Sequence, residues 1–281
     1  MFIHMIIGTI INGIHIWLSM FVIITVSVLI GLIFAPLGCL VLWKRYVYFG
    51  DGLAHASMFA GIVSVMSGLP IFYAGLLSSG LFAFIIFKLR SNSGNSAAIG
   101  LTTSIMISLS LVLAYSYPGQ INITKYLVGD IISASAQDIK LLFFILIVVL
   151  IFFLSSYKDL VLMILSKDIA ESRGVKVKFL ELAFLAVLSF AVLSTIKIVG
   201  ALLVTSIIVI PAMVARMVAK SPVSMIGFAI LSSLMMNFIG GILSFYLDIP
   251  FAPSIILSGG FIYFLLLFIT HFKKFLFKTS H

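Results

Sequence analysis

Between Leu180 and Val218 lie about 40 residues in which only Glu181, Lys197 and Arg216 carry charge. As one helix this stretch would measure about 60 Å, twice the roughly 30 Å hydrocarbon thickness of a bilayer. It is too apolar to leave in water and too long for a single crossing. The run is therefore expected to cross a membrane twice, turning near Thr195–Gly200.

The same pattern recurs along the chain. Apolar runs fall at about 17–43, 52–69, 70–87, 97–117, 139–156, 179–196, 198–218, 223–247 and 253–271, which makes nine candidate spans. Over 281 residues the composition is 63% hydrophobic and 9% charged, whereas a soluble domain dilutes its core with a polar shell. The expectation is an all-α polytopic helical bundle of eight or nine transmembrane helices, residues 1–281 forming one transmembrane domain. The lone Cys39 excludes an intrachain disulfide and a cysteine-based metal cluster. No basic residue precedes the first apolar run, so the N-terminus is expected to be retained rather than cleaved as a signal peptide.

A net charge of +9 would suggest nucleic acid on a soluble protein, but here the positions of the charges carry the information. Basic residues concentrate on the cytoplasmic side of bacterial membrane proteins. With the N-terminus outside, the loops after odd-numbered spans and their flanks hold fourteen: Lys44, Arg45, Lys88, Arg90, Lys158, Lys167, Arg173, Lys176, Lys178, Arg216, Lys220, Lys273, Lys274 and Lys278. Only Lys125, Lys140 and Lys197 fall on the other side. That asymmetry sets the expected orientation, and eight spans remain compatible if one segment is re-entrant.

Two connections are longer than they need be. The outer one, Tyr117 to Ile139, contains Ser135-x-x-Asp138, a capping-box pattern that reads as a helix start. The inner one, "SKDIAESRGVKVK", reads either as a short amphipathic helix with Ile169, Ala170 and Val175 apolar and Gly174 as its stop, or as a solvated basic loop.

Chemistry is sparse. The chain has no G-x-x-x-x-G-K-[ST], so it does not bind ATP through a P-loop, and no H-E-x-x-H, G-x-S-x-G or C-x-x-C. His4, His15, His271 and His281 sit near the chain ends and read as interfacial or solvated. The exception is "YFGDGLAHAS", where Asp51 and His55 stand four residues apart and therefore on one helix face. One reading makes Asp51 the N-cap of its helix, beside Gly50 and Gly52. The other makes the pair an ion path, because ionisable groups inside spans are costly and mark such paths. A carboxylate and an imidazole suit borderline cations such as Zn²⁺, Mn²⁺ and Fe²⁺.

"YFGDGLAHAS", preceded by "APLGCLVLWKR", resembles the integral-membrane permease subunit of bacterial zinc and manganese ABC importers, the ZnuB type. The resemblance continues in order through "YLVGDIISASAQDI", "SKDIAESRGVKV", "IKIVGALLVTSIIVIPAMVAR" and "LDIPFAPSIIL". It implies a multi-pass permease of the bacterial cytoplasmic membrane, working as a homodimer with an ABC ATPase subunit beneath and a metal-binding receptor protein outside. It places the metal residues on Asp51 and His55, and the segment that couples to the ATPase on residues 166–177, including Asp168, Ala170, Arg173 and Gly174. The transported metal is expected to be Zn²⁺, with Mn²⁺ or Fe²⁺ as alternatives, and no permanent cofactor or nucleic-acid partner is expected. A stand-alone cation transporter, or a membrane scaffold with Asp51 only a cap, are the competing readings.

Overall fold

A computed structural model describes the backbone of residues 2–116, 131, 134–200 and 203–278, and most side chains between 21 and 272 within that range. Lys125 and most of the outer connection lie outside the described residues. The side chains of His4, His15, Arg90, Lys197, Lys273, Lys274, Lys278 and His281 are likewise undescribed.

Among the described residues the chain forms ten helices and no strand: α1 Phe2–Trp43, α2 Phe49–Ser67, α3 Ile71–Ser93, α4 Asn95–Ser116, α5 Ala136–Leu165, α6 Lys167–Ser172, α7 Val177–Val199, α8 Val204–Val218, α9 Pro222–Leu247 and α10 Phe251–Lys278. Their boundaries follow local chemistry. Ser135 and Asp138 form a reciprocal capping box at the start of α5, and Ser221 with Ser224 does the same for α9, where Pro222 takes the first helical position. The breaks after α2, α3, α6 and α7 coincide with Gly68, Gly94, Gly174 and Gly200, all at positive φ.

Eight helices are long and apolar enough to span a membrane: α2, α3, α4, α5, α7, α9, α10 and the Phe21–Trp43 part of α1. Of the apolar run expected at 198–218, Ile198 and Val199 close α7 and the next helix starts at Val204, so α8 has 15 residues and a length of about 22 Å. Among the described residues there are thus eight helices of spanning length and one short apolar helix in place of the ninth.

Small residues decide how closely these helices meet. A Cβ at Gly38 of α1 would overlap the backbone carbonyl oxygen of Ile208, so α8 lies directly against α1. Gly31 faces Ser233 and Asn237 of α9, and Asn237 Nδ2 donates to the Ser27 carbonyl at 3.0 Å. Gly240 admits the backbone of α10 at Ile255. Such close approach is how helices associate in lipid, where apolar burial alone supplies little drive. The outward surface is apolar, including Leu101 and Ile105 of α4, Leu154 of α5 and Phe261, Phe264 and Phe268 of α10. That is the surface hydrocarbon requires.

Candidate functional site

After α1 the chain reverses through Lys44–Tyr48, with Arg45 in the left-handed region at φ 58°. Tyr46 is fully buried, packing edge-on against Phe49 and tilted against Phe184 of α7, both with ring centroids 6.2 Å away. Phe49 in turn meets Phe82 of α3 at 5.4 Å. This aromatic group anchors the start of α2, two residues before Asp51.

The N-cap of α2 is Tyr48, with no side-chain capping bond. Asp51 is the third helical residue, so the sequence reading of Asp51 as the N-cap does not describe its place. Its carboxylate Oδ1 lies 3.8 Å from His55 Nε2, outside hydrogen-bond range but within reach of a shared cation. The side chains are 48% and 28% exposed, respectively.

The flanks of Asp51 are closed. A Cβ at Gly50 would lie 3.0 Å from Thr205 Oγ1 and 3.3 Å from Ile208 Cδ1 of α8. One at Gly52 would lie 2.5 Å from Thr103 Oγ1 of α4, 2.9 Å from Ile99 and 3.0 Å from Phe82. Phe49, Leu53, Ala56 and Ala60 are buried on the opposite side, leaving Asp51, His55 and Met58 on the half-open face. Among the described residues, no third His, Cys, Asp or Glu joins the pair in a group able to hold a metal.

The contact of Gly50 with α8 sets the level of the pair along that helix. Ile208, beside Gly50, is ten residues before the end of α8 at Val218. That is about 15 Å along the helix, half the hydrocarbon thickness. Arg216 and Lys220 mark the basic end of α8. The start of α2, with Asp51, therefore meets α8 about ten residues from its basic end.

The segment at 166–177 is a short helix. Ser166 ends α5 by donating its N–H to Leu162 O at 3.0 Å and starts α6 by accepting from Ile169 N at 3.4 Å. Ala170 is buried, Val175 is half-buried, and Asp168, Arg173 and Gly174 are exposed. Ile169, read from sequence as part of the apolar side, is 51% exposed and presents an apolar group outward.

Sequence reading missed Glu181. It is buried on α7, and its Oε1 accepts from Lys44 Nζ at 2.9 Å. A carboxylate inside an apolar run was the available signal, but its partner is 137 positions away. Also missed were the buried hydroxyls of Thr103 and Thr205, which have no hydrogen-bond partner and abut the glycines either side of Asp51.

Helices of spanning length with an apolar outer surface define a polytopic membrane protein. The chain belongs to the ABC 3 transport family, whose model matches residues 18–270; it is a multi-pass inner-membrane permease, as the sequence resemblance implied. It is 29% identical over 246 residues to the high-affinity zinc uptake system membrane protein ZnuB of Haemophilus influenzae, covering 86% of this chain and 94% of that one. It is 31% identical over 241 residues to the protein of the same name from Buchnera aphidicola subsp. Acyrthosiphon pisum, covering 84% and 92%. The fold matches that of PsaBC from Streptococcus pneumoniae in complex with Fab at a TM-score of 0.79 and 21% identity, covering 94% of this chain and 96% of that one.

Proposed function

We propose that this chain is the membrane subunit of an ATP-driven importer of a divalent metal, foremost Zn²⁺, and that the ion passes between two copies of the chain. The observation that carries the reading is the half-site on α2: two ligands on the open face of a tightly packed helix, with no third beside them among the described residues. A twofold axis beside that face would bring two Asp51 and two His55 together, the four oxygen and nitrogen ligands that Zn²⁺ accepts. With no thiolate in the set, the ion is held well enough to enter and loosely enough to leave. The names of these two ZnuB relatives support zinc.

In this reading residues 1–281 act as one transmembrane domain. ATP is hydrolysed by a partner ATPase docked on residues 166–177, through Asp168, Ala170, Arg173 and Gly174, and an extracytoplasmic receptor delivers the metal. The absence of a P-loop supports the division of labour.

The test is uptake by the chain co-assembled with its ATPase in proteoliposomes, offering Zn²⁺, Mn²⁺ and Fe²⁺ separately. ATP-dependent accumulation with Zn²⁺ preferred is the expected result. Accumulation by the chain alone, driven by a proton gradient, would replace it with a secondary transporter.

A further inference from the structure

We propose that the Lys44–Glu181 ion pair is the link through which movement of α6 reaches the Asp51–His55 pair. The inference rests on the importer reading in one respect, that α6 meets a moving partner.

The path is continuous in hydrogen bonds and packed rings. Val175 N donates to Ala170 O at 3.0 Å, Val177 N to Val175 O at 2.8 Å, and Leu180 N to Lys176 O at 3.0 Å, so α6 is tied into the first turn of α7. Glu181 is the next residue. Its side chain and that of Lys44 are 7% and 15% exposed, and they meet at 2.9 Å. Away from water an ion pair is short, directional and stiff, because the low dielectric strengthens it. Phe184, one turn on in α7, packs against Tyr46, giving the same two segments a second contact.

On the receiving side, Lys44 lies seven residues before Asp51, and its carbonyl accepts from Asn95 Nδ2 at 2.8 Å. Asn95 opens α4, the helix whose Ile99 and Thr103 press on Gly52. Lys44 therefore holds both the entrance to α2 and the helix beside it. A displacement of Glu181 shifts the α2 entrance and its α4 neighbour together. Apolar side chains of similar size would hold the turn as firmly at less desolvation cost. What the charges add is a pairing that either partner can follow without losing register.

The test places a reporter on the open face of α2 and does not depend on metal crossing. In a Cys39→Ala background, Met58→Cys is labelled with a maleimide in the assembled complex, with and without ATP and vanadate. The parent background should change its labelling rate by about fivefold or more between the two conditions, the lower range of an ordinary coupling. Glu181→Gln and Lys44→Gln should each abolish most of that change while leaving assembly intact. The exchanged pair, Lys44→Glu with Glu181→Lys, should restore it.

No ATP-dependent change in the parent overturns the link, as does its full retention in either single variant. Failure of the exchanged pair to recover any of it assigns the loss to local structure and overturns the link too. Metal uptake, measured on the same vesicles, separates the two proposals. The expected labelling pattern without uptake leaves the link standing and removes the importer reading, and uptake with unaltered labelling in Glu181→Gln does the reverse.

Discussion

Adding one methyl group at Gly52 isolates what close packing around the α2 pair contributes. Gly52 and Gly61 both lie within α2, so replacing either with Ala yields the same gain in helix propensity, about 1 kcal/mol. They differ in surroundings. A Cβ at Gly61 meets nothing within 4 Å, whereas one at Gly52 meets Thr103 Oγ1 at 2.5 Å, Ile99 at 2.9 Å and Phe82 at 3.0 Å. Thr103 can rotate its hydroxyl away. Ile99 and the Phe82 ring must each retreat by about half an ångström to reach ordinary carbon–carbon separation, and both are buried. Overpacking of this kind costs about 1–3 kcal/mol. The propensity gain cancels in the comparison, so Gly52→Ala should be less stable than Gly61→Ala by that amount. At about 2–4 °C per kcal/mol, the apparent Tm values in detergent should differ by roughly 2–12 °C. Thermal unfolding of the purified variants, followed by size-exclusion fluorescence, reads the difference directly. A Gly52→Ala protein as heat-stable as Gly61→Ala would refute the argument that α4 presses on α2 beside Asp51.

Asp51→Asn and His55→Ala should each abolish metal uptake by the complex at sub-saturating metal without reducing its yield; uptake by Asp51→Asn near the parent rate would remove the ion path. Gly174→Leu forces a branched residue into φ 81°, costing about 1–2 kcal/mol locally, and should reduce co-purification with the ATPase, while Gly174→Asn should be milder. Exchanging Asp168 and Arg173, both exposed, should likewise lower ATP-driven uptake with the protein still folded. Ser135→Ala removes the hydroxyl of the α5 capping box and should lower stability by about 0.5–2 kcal/mol, measured as Tm, with uptake per complex unchanged.

The helix boundaries were legible where a single residue carries the local chemistry. Ser135 with Asp138, Gly68 before Pro70 and Gly174 all lie where the sequence placed them, whereas the turn expected at Thr195–Gly200 begins only at Gly200, because α7 stays helical through Val199. Hydropathy could not show that α8 starts at Val204 rather than 198, since an apolar residue reads the same inside a helix and just before it. It also stopped the fifth span at 156, although α5 runs on to Leu165 through Tyr157, Lys158 and Asp159. Spacing alone put Asp51 and His55 on one face, because four residues is a property of the helix itself. Lys44 was read as a marker of the cytoplasmic surface, and its sign told nothing of Glu181. That pairing exists only once α7 lies beside the α1–α2 turn, a matter of tertiary packing.

The two sides of α2 have different consequences for how such a protein can change over generations. At Gly50 and Gly52 a single added carbon meets side chains of neighbouring helices, so substitution there disturbs the packing of the bundle. Asp51, His55 and Met58 project from the other side, where a new side chain displaces no helix. In the importer reading, ion preference can therefore drift one ligand at a time while the bundle stays the same. In that reading folding and selectivity are written on different faces of one helix, and mutation can revise the second without disturbing the first.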